Sequence, residues 1–250
     1  MNDIYNLRYC NGLKYIEFKN NFNSELTPEL ITILKKYNRI KFNNAFNQSI
    51  NNLPDHITHI ILGNYFNQPV DDLPKSLIHL EFGYLFNQHV DNLPKTLINL
   101  IFGNCFNQVI DNLPDSILNI VFGTKFNQSI DYLPNSIVTL KFHYSSKFNN
   151  NVDNLPSNLR LLEFGWKFNQ NIDNLPRGLT HLKFNYNCDF TNSLDNLPDS
   201  LNYLILGWKY HETINQLPKE LKKIQLNNNY IPSILLTKNY LIYFNEKIFC

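Results

Sequence analysis

Apolar residues return along this chain every twenty residues, not at the three-to-four-residue spacing of an amphipathic helix. The stretch Phe66–Leu85, FNQPVDDLPKSLIHLEFGYL, is followed by FNQHVDNLPKTLINLIFGNC and then by FNQVIDNLPDSILNIVFGTK. A marker Phe recurs as Phe46, Phe66, Phe86, Phe106, Phe126, Phe148, Phe168 and Phe190, and Tyr210 takes the same place once more. Phe22 reads as an earlier, divergent copy. Nine of the 12 prolines hold one place in the unit, from Pro54 to Pro218, and six of the eight glycines hold another. Within a unit, Leu80 and Phe82 point one way and His79 and Glu81 the other, which predicts a short strand ended by Gly83.

Twenty residues cannot bury so many apolar groups alone, but stacked copies share one continuous core. The unit is too short for a strand and a full helix, and a Pro at every turn predicts extended or polyproline-like backbone away from the strand. The fold expected is a repeat solenoid with short parallel β-strands on one face, extended and turn segments on the other, and little helix.

Polar rows repeat with the same step. Asn67, Asn87 and Asn107 follow the marker Phe, and Gln68, Gln88 and Gln108 follow them. An amide both donates and accepts, so such a column can pair backbone groups of successive turns. Asp71, Asp91, Asp111, Asp131, Asp153, Asp173 and Asp195 form a row of like charges. Each is expected to accept from backbone N–H groups of the following turn. The other reading of that row is a line of calcium sites.

The segments FNQPV, Phe66–Val70, and LPKSLIHLEFG, Leu73–Gly83, resemble the FNIP repeat, a leucine-rich-repeat relative of social amoebae and of large amoeba-infecting DNA viruses. The resemblance covers roughly residues 37–226 and implies a leucine-rich-repeat-like solenoid with a protein-interaction role. The family's units have 22 residues, with a Gly between the Ile and the Pro; here the segment is two residues shorter and lacks the Gly. The L-P-x-x-L-x-x-L frame is also similar to the short leucine-rich repeats of secreted bacterial effectors. One solenoid domain, 1–250, is expected, with about nine repeats over 37–230. Residues 1–36 would form an N-terminal cap and 231–250 a C-terminal one. Thr27, Pro28 and Glu29 read as a helix opening, and that helix is expected inside the first coil. Some family members carry an N-terminal F-box, which would make the helix part of a ubiquitin-ligase adaptor.

Composition narrows the chemistry. A net charge of +1 gives no excess for nucleic acid or anionic lipid. No apolar run approaches a membrane span, and the start lacks the pattern of a secretion signal. The four cysteines form no C-x-x-C pair, which fits a reducing compartment: the cytoplasm, or a host's cytoplasm if the chain is viral. No nucleophile, metal or phosphate-loop motif occurs, so no catalytic residue, metal or cofactor is assigned and no small-molecule substrate is expected. His59 and His79 should be neighbours on adjacent strands, read as exposed sheet residues or as a metal-binding pair.

Specificity should reside in the variable positions of the exposed strand face. One row runs from Tyr15 through Arg39, His59, His79, Asn99, Asn119, Thr139, Leu161, His181 and Tyr203 to Lys223. The next includes Ile61, Glu81, Ile101, Val121, Lys141, Glu163, Lys183 and Ile205. Lys141, Glu163 and Lys183 alternate in sign, and Ile61, Ile101 and Val121 are apolar where solvent is expected. Just past the strand, Tyr84, Trp166, Tyr186 and Trp208 form an aromatic border. The candidate partner face is thus Ile61, His79, Tyr84, Ile101, Val121, Leu161, Trp166, Tyr186, Tyr203, Ile205 and Trp208. The expected function is a non-enzymatic scaffold for a protein partner. The alternatives are a ligase adaptor, or an enzyme or ligand binder with no recognisable motif.

Overall fold

A computed structural model describes residues 5–10, 13–19, 21–226 and 241–244. The chain forms two compact units, Met1–Phe126 and Asn127–Cys250. Together they contain about ten turns of a parallel β-solenoid.

In the first unit, β1 (Tyr5–Cys10) pairs antiparallel with β2 (Leu13–Phe18). The strands β3 (Arg39–Lys41), β4 (His59–Ile61), β5 (His79–Glu81), β6 (Asn99–Ile101) and β7 (Asn119–Phe122) then add in chain order, all parallel. The register is set by the repeat: His59 lies beside His79, Ile60 beside Leu80 and Ile61 beside Glu81. In the second unit, β8 (Thr139–Phe142), β9 (Leu161–Phe164), β10 (His181–Phe184), β11 (Tyr203–Ile205), β12 (Lys223–Leu226) and β13 (Leu241–Phe244) are likewise parallel. Apart from β13, the expected C-terminal cap lies outside the described residues.

The one helix among the described residues, α1 (Pro28–Leu34), sits between β2 and β3, inside the first coil. Thr27 caps it, its hydroxyl accepting from the Leu30 N–H, and Leu30 and Leu34 are buried. The outermost strand of this sheet is β1, which follows no repeat and was not expected from the periodicity.

The core is two columns of phenylalanine. The strand residue Phe82 packs on the marker Phe86 with ring centroids 3.6 Å apart, and Phe86 meets Phe106 of the next coil at 6.1 Å. Leu80, Leu100 and Ile120 fill the strand side and Leu77, Leu97 and Ile117 the turn side, all fully buried. Each repeat proline opens a turn: the Pro74 carbonyl accepts from the Leu77 N–H at 3.0 Å, and the Pro94 carbonyl from Leu97 at 3.0 Å. Only the carbonyl is needed at that place, so the missing N–H of proline costs nothing. The polyproline-like segment expected there is a β-turn.

The amide column pairs successive coils. The Asn67 N–H donates to Asn47 Oδ1 at 2.8 Å and Gln68 Nε2 donates to the Asn47 carbonyl at 3.1 Å; Asn87 and Gln88 repeat this on Asn67. The aspartate row is held differently from the expectation. Asp71 and Asp91 accept from the side-chain amides of Asn92 and Asn112, one coil on, and Asp153 and Asp173 from Asn174 and Asn196. Among these contacts the donor is a side chain, because the Asn beside each Asp reaches back across the coil gap. Asp195 alone of the row is shown taking backbone N–H groups of the next coil, from Asn215 and Gln216.

Glycine ends the strand because the coils touch there. A Cβ on Gly83 would stand 2.1 Å from the Gly63 carbonyl oxygen, and one on Gly103 would stand 1.7 Å from that of Gly83. His143 and Asn185 take this place in the two coils lengthened to 22 residues. The two added residues bury Ser146 in one and Cys188 in the other.

Candidate interaction face

The three-residue strands β4, β5 and β6 turn one residue into the core and two outward, and the four-residue strands β7, β8, β9, β10 and β12 bury their second and fourth residues. In the first unit, the register places Ile101 next to Val121, while Glu81 separates Ile61 from Ile101. All three apolar side chains are half-buried. A groove of about 300 Å³ runs along the strand ends of this unit, lined by Lys41, Ile61, Glu81 and Tyr84 and floored by Gly63, Gly83 and Gly103. The glycines that stacking demands therefore leave a trough beside Ile61, and Tyr84, 49% exposed, borders it. Ile101 and Val121 lie outside the groove lining.

His79 belongs to the neighbouring row. Its ring stacks on His59 with centroids 5.6 Å apart, and its Nε2 is 3.8 Å from Glu81 Oε2. Burial, then the Arg39 guanidinium and His79, push the His59 imidazole down to about 4, so it is neutral at physiological pH. Among the described residues, no three His, Cys, Asp or Glu side chains gather in a way that could hold a metal ion.

In the second unit, Leu161 and Tyr203 are half-buried on either side of His181. The Tyr203 hydroxyl donates to Gln225 Oε1 at 3.4 Å, and Lys223 Nζ lies 4.9 Å from the centre of its ring. From the predicted charge ladder, Glu163 and Lys183 form an ion pair. Two expected face residues are instead buried: Ile205 at 9% exposure and Tyr15 at 7%. The register sets Ile205 between the longer side chains of Lys183 and Gln225. Alternation alone assigned it to solvent and took no account of those neighbours.

The aromatic border is longer than expected. Tyr144, 57% exposed, occupies the same place as Trp166, Tyr186 and Trp208, so four successive coils of this unit carry an aromatic residue there. Tyr144 stands two residues past Phe142, as Tyr186 does past Phe184, so counting from the strand would have found it. Main-chain bonds tie the row together: the Trp166 N–H donates to the Tyr144 carbonyl at 3.0 Å and the Trp208 N–H to that of Tyr186 at 2.8 Å. The rings of Tyr144 and Trp166 meet edge to face at 5.6 Å. Each indole N–H is taken by an asparagine, Trp166 by Asn185 at 2.8 Å and Trp208 by Asn187 at 2.9 Å. In the first unit the same place holds Asn64, Tyr84, Asn104 and Thr124, so the row belongs to the second unit.

The FNIP Repeat family model matches residues 46–72, 66–105, 106–145, 148–187, 168–209 and 190–229, most of the chain. The chain belongs to the FNIP repeat family. Its repeats form a leucine-rich-repeat-like solenoid, a fold commonly used for protein–protein interaction and generally non-enzymatic. No curated protein matches the chain. Among solved structures it is similar to CroV588, described as a novel circular LRR protein, at 26% identity over 97% of this chain and 54% of that one, with a TM-score of 0.48. It is also similar to YopM from Yersinia enterocolitica WA-314, at 19% identity over 79% of this chain and 54% of that one, with a TM-score of 0.39. The chain spans about half the length of these two solved proteins. No helix among the described residues is long and apolar enough to cross a membrane.

Proposed function

We propose that this FNIP-repeat chain is a non-enzymatic scaffold that binds a protein partner through the outer face of its strands and the aromatic border beside it, in a cytoplasmic setting. The observation that carries the reading is the adjacency of Ile101 and Val121 on that face. The repeat's inward positions already fill the core, so two neighbouring β-branched side chains on the outer face serve no core packing. Their exposure suits burial against a partner, and the large aromatics suit the role of anchors. The helix α1 turns Leu30 and Leu34 into the core, which favours a structural part for it over recruitment of a ligase.

The test is the double substitution Ile101→Glu and Val121→Glu. Folding should be retained, because both positions face outward, while capture of the partner from the natural host's cytosol should be lost. A folded double variant that captures the same proteins as the parent would sink the reading.

A further inference from the structure

Two rows run side by side along the second unit. The aromatic row is Tyr144, Trp166, Tyr186 and Trp208. The residue just before the marker ring in the same coils is Lys147, Lys167, Asp189 and Lys209, a row with three cations and one anion. Lys167 Nζ lies 2.9 Å from Asp189 Oδ2, and Lys209 bonds the other carboxylate oxygen. Those two lysines hold the Asp189 carboxyl below the ordinary carboxylate range. One carboxylate thus bridges two ammonium groups, and the cluster keeps a net positive charge with N–H donors to spare. The unit's ladder acids, Asp131, Asp153, Asp173 and Asp195, are taken up in bonds to the asparagines of the next coil and are separate from this row.

Resting on the interaction reading above, we infer that this double row binds an acidic protein segment whose bulky apolar side chains lie on the aromatic row and whose carboxylates meet Lys147, Lys167 and Lys209. The indole N–H groups are already engaged by Asn185 and Asn187, which fixes the rings and leaves them to offer apolar surface. A surface that is apolar along one line and cationic along the next matches apolar residues interspersed with Asp or Glu. A single-stranded nucleic acid also pairs stacking with negative charge. It fits less well: a continuous phosphate chain would pass Asp189 in mid-row, and the chain's net charge of +1 supplies no long-range attraction.

The experiment selects short random peptides displayed on phage against the full chain. Affinity of the enriched peptide, made synthetically and labelled, is then measured alongside labelled oligo(dT). The expected result is enrichment of Asp or Glu next to Phe, Trp or Leu. Affinity should fall about tenfold or more in Lys167→Glu and in Lys209→Glu, and should weaken as salt rises. Lys167 is exposed and Lys209 half-buried, and each reversal gives up one ion pair with Asp189, so the melting temperature should fall by no more than a few degrees; Trp208→Phe, which keeps an apolar ring, should bind nearly as the parent. Enriched peptides without carboxylates, or affinity indifferent to both charge reversals, would overturn the inference. So would oligo(dT) binding through these residues when no peptide binds. Peptide binding lost only through Ile101→Glu and Val121→Glu would overturn the acidic anchor and leave the broader face reading standing; binding indifferent to both sets of variants would overturn both.

Discussion

The backbone N–H of Asn87 donates to Oδ1 of Asn67, one coil earlier, at 2.9 Å. The Asn67 backbone carbonyl receives Gln88 Nε2 at 3.1 Å. Two side chains, Asn67 and Gln88, therefore pair backbone groups of a turn that has no ladder partner for them. Asn67→Leu removes the acceptor and strands a part-buried N–H, which should cost about 1–3 kcal/mol. Asn67→Asp keeps an oxygen in the same place and should cost less. Chemical denaturation of the two variants checks the order; equal losses would show that the column is not what satisfies the turn.

A second prediction separates close stacking from conformational freedom at glycine. Gly83 would drive a Cβ into the Gly63 backbone at 2.1 Å, and backbone there cannot step aside without opening the stack. At Gly178 the nearest atom is 2.2 Å away, but it is the guanidinium end of an exposed Arg160, which can swing clear. Gly83→Ala should therefore destabilise by about 1–3 kcal/mol or more, as overpacking does, and Gly178→Ala by far less. Thermal melts of the two single variants decide it, and a harmless Gly83→Ala would mean the coils part easily at the strand ends.

Much of this architecture was legible because each coil repeats the same solution. Phe86, Phe106 and Leu100 were readable as core, and Asn67 and Gln68 as a pairing column, since a feature present in every unit must suit identical neighbours above and below. What could not be read is what happens once or depends on a neighbour's size. The strand β1 has no copy to compare with. Ile205 follows the alternation outward yet is covered between Lys183 and Gln225. The aspartate row illustrates a finer limit: the period brings Asp71 near the next coil, but whether a backbone N–H or Asn92 Nδ2 reaches it depends on rotamers. At the candidate face, the half-buried apolar pair Ile101 and Val121 was visible in the pattern, whereas Tyr144 needed its place counted from the strand end at Phe142.

The marker column should be the largest single store of packing energy. Phe106 has no exposed surface and contacts Phe86, Phe102 and Phe126, with ring centroids 6.1, 3.8 and 6.1 Å away. Phe106→Ala should cost about 3–5 kcal/mol. Phe106→Leu should recover much of that, because it leaves a smaller void. Denaturant midpoints give the comparison, and a loss under about 1 kcal/mol for the alanine variant would be typical of a surface site, not a core one.

Acidification should weaken the first unit through His59. His59 sits between Arg39 and His79 on the flanking strands, with its Nδ1 2.9 Å from Thr58 Oγ1. In the unfolded chain it takes up a proton near 6.5, whereas in the fold it resists until about 4. Between those values the unfolded state binds more protons, so stability falls as pH drops through that window. Asp189, Asp195 and Asp199 also lose stabilising contacts on protonation, but their lowered values place that loss below the histidine window. His59→Asn should flatten the pH dependence between about 6.5 and 4 and leave the more acidic limb unchanged. Asparagine already fills this place in β6 and β7, where Asn119 Nδ2 donates to Asn99 Oδ1 at 2.8 Å, so the substitution suits the sheet. Melting temperatures of parent and variant across that range make the measurement, and parallel curves would show that His59 is not the group that titrates.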